Sequence, residues 1–208
     1  MKMKTSWKVA VAVMATISQA QLYKIPPAEL VNTRCNDAEK LPTATYGSDG
    51  IIFTVCSERV LKASIAETYD ALLDFSRYSE WNSFVVDVQP IDPKSLPPGP
   101  APLGTKVKFI TQGLLGPFNS TSDEIVTIDM RNVDGKGKIA VNGWRYDGPG
   151  QLAEHLNILT GLGDGTIRYV SYESYYGLLA PVLALLLKKN LQKAFDAQGD
   201  DLKRYVEA

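Results

Sequence analysis

Histidine occurs once in this chain and cysteine twice, and these scarcities exclude several kinds of chemistry. His155, Cys35 and Cys56 lie too far apart, with no further ligands at close spacing, to form a zinc or redox-metal cluster. No serine sits in a nucleophile elbow; Ser171, two residues before Glu173, lacks that signature. Lysine and arginine are scattered, with no basic stripe interleaved with aromatics, so nucleic acid is excluded as a partner. No apolar run reaches the ~20 residues of a bilayer span. The strongest in the body of the chain, Leu178 to Leu187, ends at Lys188 and Lys189. The glycine-rich stretch Gly161 to Gly165 is followed by a strand pattern and has the wrong spacing for a dinucleotide loop. Internal repeats and low-complexity segments are absent.

Acidic residues are missing before Glu29, and that absence is informative. Lys2, Lys4 and Lys8 lead into an apolar run from Val9 to Ile17, and Ser18-Gln19-Ala20 places small residues where a signal peptidase inspects them. Residues 1–20 therefore read as a signal peptide cleaved near Ala20, which routes the chain into the secretory pathway. In that oxidising setting an even pair of cysteines predicts a Cys35–Cys56 disulfide worth about 3 kcal/mol. Asn119-Ser120-Thr121 is a glycosylation sequon on the same route.

Hydrophobic residues make up 45% of the chain, enough for one globular domain, assigned to 51–208. Residues 21–50, with Pro26, Pro27, Pro42, Gly47 and Gly50, read as an irregular arm. Ile51 to Leu61 is rich in β-branched and aromatic residues, as a strand is. Ser64-Ile-Ala-Glu67 is a capping box that opens a short helix. Six further strand patterns follow, at 84–91, 105–111, 120–130, 137–146, 152–159 and 166–176. A proline-rich loop after Ile91 fits either a lid or a stiff surface connection. Gly177 ends the last strand, and Pro181 falls in the first turn of a long helix. The unbroken apolar character of Leu178 to Leu187 predicts that these first turns are buried. The stripe Leu183, Leu187, Leu191, Phe195 and Leu202 anchors the rest.

Between the first two strands lies Asp74-Phe75-Ser76-Arg77-Tyr78-Ser79-Glu80-Trp81-Asn82, whose rings fall at three-residue steps and can wedge small helices against a sheet. This turn, followed by a meander and one long C-terminal helix, resembles the START-like helix-grip superfamily (SRPBCC), most of all its polyketide cyclase/dehydrase-type members. The resemblance covers about residues 51 to 206. It implies an α+β helix-grip fold: a curved antiparallel sheet of about seven strands wrapped around the C-terminal helix, with two short helices between strands 1 and 2. It also implies a cavity for a small hydrophobic, polyketide- or terpenoid-like ligand, without a cofactor. Cyclisation, dehydration or rearrangement in secondary-metabolite biosynthesis is the associated chemistry. The rival reading is a secreted carrier of lipid, sterol or pigment.

Strand alternation then nominates the site. Arg168 prefers solvent, which turns Tyr169, Glu173 and Tyr175 inward, and the resemblance has a Glu four residues before the strand-ending glycine, as Glu173 stands before Gly177. Burial would raise the pKa of Glu173 toward the range useful in acid–base catalysis. His155 and Tyr169 are its candidate catalytic partners, although the strand holding His155 shows no clear inward face. Trp144, Asn142 and Phe109 are expected to contact ligand from the sheet, and Leu179 and Leu183 from the helix.

Overall fold

Residues 23–35, 40–91, 96 and 98–208 are described by a computed structural model. The signal-peptide assignment lies outside these residues. Strand β1 (Ile51–Leu61) runs into helix α1 (Ile65–Leu73), which starts where the capping box places it. The Ser64 hydroxyl oxygen accepts the Glu67 N–H at 3.2 Å, and the Glu67 carboxylate accepts the Ser64 hydroxyl at 2.7 Å. A 3-10 turn (Phe75–Arg77) and helix α2 (Tyr78–Trp81) follow. Phe75 meets Tyr78, and Tyr78 meets Trp81, edge to face at 5.2 and 4.9 Å between centroids. The Asn82 side-chain oxygen then accepts the N–H groups of Phe84 and Val85, at 2.9 and 2.8 Å, and launches β2 (Val85–Pro90).

The remaining strands are β3 (Lys106–Leu115), β4 (Phe118–Met130), β5 (Ile139–Gly148), β6 (Gln151–Gly161) and β7 (Ile167–Tyr176). They form one seven-stranded sheet in the order β1-β7-β6-β5-β4-β3-β2. All pairs are antiparallel. β1 and β2 occupy opposite edges, so the α1–α2 connection crosses the whole sheet on its concave side. Helix α3 (Ala180–Val206) packs on that same side, against β1 above all and also β3 and β7. This is the helix-grip architecture.

α3 approaches the sheet most closely at Gly199, where an added Cβ would stand 2.6 Å from the Ser57 hydroxyl oxygen of β1. Phe195 and Leu202 on either side are fully buried. The other end differs from the sequence expectation. Leu178, Leu185 and Leu186 are 89%, 84% and 66% exposed, and the inward stripe of those first turns is Ala180, Leu183, Ala184 and Leu187. A helix lying across a sheet buries one stripe, and here the remaining leucines meet solvent rather than a second layer.

Convex burial is the other feature the strand patterns did not announce. The arm lays Leu30, Leu41 and Ala44 on the convex face against Leu156, Ile158, Val170 and Tyr172, forming a second core. Its polar groups are matched to the strands beneath. The Tyr172 hydroxyl donates to the Pro42 carbonyl at 2.7 Å, Ser174 to the Leu41 carbonyl at 2.6 Å, and Tyr176 to the Gly47 carbonyl at 2.8 Å. The buried Glu154 carboxylate accepts both the N–H and the hydroxyl of Thr45, at 2.8 and 2.7 Å. Cys35 and Cys56 are disulfide-bonded, with Cα atoms 5.4 Å apart, and fasten the arm to β1. Replacing both cysteines by serine is expected to lower the unfolding free energy by about 3 kcal/mol in urea titrations. It should also render residues 23–50 the first site of limited proteolysis. Unchanged stability and cleavage would show that the arm is held by packing alone.

Candidate functional site

Between α3 and the concave sheet lies a cavity of about 250 Å³. α3 contributes Leu183, Leu187, Leu191 and Gln198; β5 contributes Trp144 and Tyr146; β6 contributes Gln151, Ala153 and His155. Phe109, Thr111 and Leu114 of β3, Ser122 and Glu124 of β4, and Glu173 and Tyr175 of β7 complete the wall. The exposed Leu115 and the partly buried Leu114, Leu183 and Leu187 mark its open side.

Two carboxyls enter this mainly apolar space. Glu173 accepts the Tyr175 hydroxyl at 2.7 Å, and the Tyr175 ring is held by stacking on Phe53 at 4.3 Å. Glu124, from β4, is only 6% exposed, and its Oε2 has no hydrogen-bond partner. Among the described residues, no lysine or arginine lines the cavity. Burial pushes the Glu124 pKa up to about 8, with the charge of Glu173 adding to the rise. Burial likewise raises Glu173 to about 7, against the opposing pull of the Tyr175 hydrogen bond. Two acids that resist ionisation together hold a proton that is neither firmly bound nor fully released near neutrality.

A family model described as polyketide cyclase / dehydrase and lipid transport matches residues 61–203. The chain belongs to this family. Its fold recurs in solved structures of low sequence identity. A hypothetical protein of Helicobacter pylori superposes with a TM-score of 0.58 at 18% identity, over 74% of this chain and 87% of that one. A START superfamily protein of Mycobacterium smegmatis gives 0.54 at 14% identity, over 74% and 97%. The major latex-like protein 151 of Panax ginseng gives 0.54 at 7% identity, over 74% and 97%. A search of curated protein sequences finds no match.

Of the residues nominated by strand alternation, this polyketide cyclase/dehydrase family member brings Glu173, His155, Trp144, Phe109, Tyr175 and Leu183 to the cavity wall. His155 lies directly opposite Glu173 in the β6–β7 register. The two do not form a hydrogen bond. The imidazole is sandwiched between Trp144 and Phe195, at 4.5 and 4.9 Å. Its Nε2 is engaged by the Ser171 hydroxyl at 2.8 Å. Burial drives its pKa down to about 3, so the ring is neutral and a poor base. Tyr169 and Asn142 are fully buried behind the wall rather than on it. The Tyr169 hydroxyl donates to the Asn157 side-chain oxygen at 2.8 Å, and Asn157 donates to Asn142 at 3.0 Å. Leu179 is half-exposed, packs over Gly150 and does not reach the cavity. Asn119 is exposed at the start of β4. Among the described residues of the proline-rich loop, Ala101 is tied by its N–H to the Leu73 carbonyl at 2.9 Å, and none lines the cavity.

Glu124 went unnoticed in the sequence, yet a signal existed. Ser120, Ser122, Glu124 and Val126 share one face of β4, and Val126 is core. A register shift between Val126 and Ile128 then turns Ile128 to the convex side and hides the alternation.

Raised carboxyl pKa values mean that the folded protein retains protons which the unfolded chain, titrating near 4.5, has released. Their contribution to stability is therefore intact only below about 4.5 and is lost progressively as pH rises from there through about 7 and 8. His155 acts in the opposite sense, and only below its unfolded value of 6.5. Unfolding free energy should thus fall between pH 6.5 and 8.5 in the native protein. The Glu124→Gln/Glu173→Gln variant should lose that slope, gaining about 3 kcal/mol on the native protein across the interval. Parallel pH profiles for the two proteins would show that the carboxyls titrate normally.

Proposed function

We propose that the protein binds a compact, largely hydrophobic ring compound in the α3–sheet cavity and moves a proton on it, guiding a cyclisation, dehydration or rearrangement in secondary-metabolite biosynthesis. The observation that carries this reading is the carboxyl pair inside an aromatic wall. A pair with pKa values of about 7 and 8 can both take and return a proton near neutrality. Glu173, oriented by Tyr175, is the proton-transfer group, and Glu124 is the acid that tunes it. His155 is a neutral wall residue whose ring fixes the orientation of Trp144. The aromatic wall supplies orientation, holding a flexible substrate in one folded conformation.

Size separates this from the carrier reading. A cavity of about 250 Å³ lies at or below the range of roughly 300–1,000 Å³ usual for ligand pockets. It suits a one- or two-ring molecule better than a sterol or an acyl lipid. The Cys35–Cys56 disulfide supports placement in an oxidising compartment, which agrees with secretion after removal of residues 1–20.

Native mass spectrometry of protein purified from its own host tests both halves. A small bound mass is expected, and it should disappear in Ala153→Phe and Leu183→Trp, which fill the cavity. Glu173→Gln recovered from the same host should carry the unreacted precursor, heavier by one water for a dehydration or isomeric for a rearrangement. The same compound in native and Glu173→Gln protein would make it a carrier. Absence of any bound mass, with the two filling variants indistinguishable from native, would reject the cavity as a binding site.

A further inference from the structure

Charge in the cavity is of one sign. Glu124 and Glu173 face it, and every other lining side chain is neutral. Glu124 is held in a buried position with Oε2 unpartnered, a cost of roughly 1–3 kcal/mol. Ser122 hydrogen-bonds the Glu124 carboxyl from its own strand, and Tyr146, Thr111 and Gln198 are neutral donors in the same wall, but none of them bonds Oε2 and none is a cation. β5 faces the pair with Trp144 and Tyr146, β6 with Ala153 and His155, β7 with Tyr175, and β3 with Phe109 and Thr111. α3 closes the space with leucines and Gln198. Asp123 and Asp147, acting from farther off, only add negative potential at Glu124. Around this acidic spot stand the rings of Trp144, Phe109 and Tyr175, residue types whose π-systems attract a cation. Ala153, the small residue across β6 between the two carboxyl-bearing strands, leaves room for a head group there.

We infer that the ligand of this cavity is a hydrophobic amine: a one- or two-ring skeleton carrying a protonated nitrogen that docks between Glu124 and Glu173. The ammonium N–H groups supply the donors that Glu124 lacks, and the ring system fills the aromatic wall. The inference rests on the cavity reading above and narrows its ligand class. Binding is coupled to proton release, because the carboxyl pair must ionise to receive the cation. With pKa values of about 7 and 8 in the free protein, affinity rises with pH across that interval while the amine remains protonated.

Calorimetric titration with 2-phenylethylamine, its neutral counterpart 2-phenylethanol, and naphthalene provides the test. The amine is expected to bind at least tenfold more tightly than the alcohol at pH 8, with affinity increasing from pH 6 to 8.5. Glu124→Gln and Glu173→Gln should each weaken the amine by about thirtyfold or more, since truncating one partner of a buried charge pair strands the other. Naphthalene, which carries no group for a carboxylate to engage, reports whether each variant keeps the hydrophobic cavity intact. Equal binding of amine and alcohol, or a flat pH profile, overturns the amine assignment and leaves the hydrophobic cavity standing. Failure of all three probes to bind overturns the cavity reading and the amine assignment together.

Discussion

The close approach of α3 to β1 at Gly199 is the constraint on which the rest of the molecule depends. There the helix is separated from Ser57 by less than the width of a methyl group, and Phe195 and Leu202 seal the contact. Toward the helix N-terminus the sheet curves away, so the same rigid rod passes from tight contact to a gap. Leu183 and Leu187 span that gap without filling it. The cavity is thus the geometric remainder of packing a straight helix in a curved sheet, and its position follows from which end of the helix carries the glycine. A side chain at position 199 would lift the pinned end and remove the difference between the two.

Electrostatically, the interior is arranged against the usual rule that buried charges are paired. Two other buried carboxylates are matched by donors: Glu154 by the N–H and hydroxyl of Thr45, and Asp201 by those of Ser83. The cavity carboxyls have only hydroxyl donors, Tyr175 on Glu173 and Ser122 on Glu124, and among the described residues no group bonds Oε2 of Glu124. Sites that depart from the packing rules applied by the rest of a chain are where ligand chemistry is expected.

Much of the fold was legible because local signals agreed. The Ser64 capping box, the Phe75/Tyr78/Trp81 steps, the Gly177 break and Pro181 each marked an element boundary that the structure places within a residue or two. Strands were found, but their faces were harder. β6 has no readable alternation because both its sides are buried, His155 and Asn157 toward the helix and Leu156 and Ile158 toward the arm. Arg168 did report the correct phase for β7, although its convex side is covered by the arm along much of the strand. The apolar opening of α3 misled in the other direction, since hydrophobicity all round a helix suggests burial all round. Distances between strands far apart in the sheet have no sequence signature, so the meeting of Glu124 and Glu173 in one cavity emerges only from the fold.

The arm on the convex face makes β6 and β7 a partition between two rooms. Odd-numbered side chains such as His155, Glu173 and Tyr175 furnish one room, and even-numbered ones such as Glu154, Tyr172 and Tyr176 furnish the other. Structural duties are concentrated on the even side, where hydroxyl and carboxylate contacts hold the arm. Substitution on the odd side of these strands therefore acts on the cavity and the core beneath α3, and substitution on the even side acts on the attachment of the arm. One arm of fewer than thirty residues, stapled once, thus gives this small domain an interior that can be refurnished without rebuilding the wall.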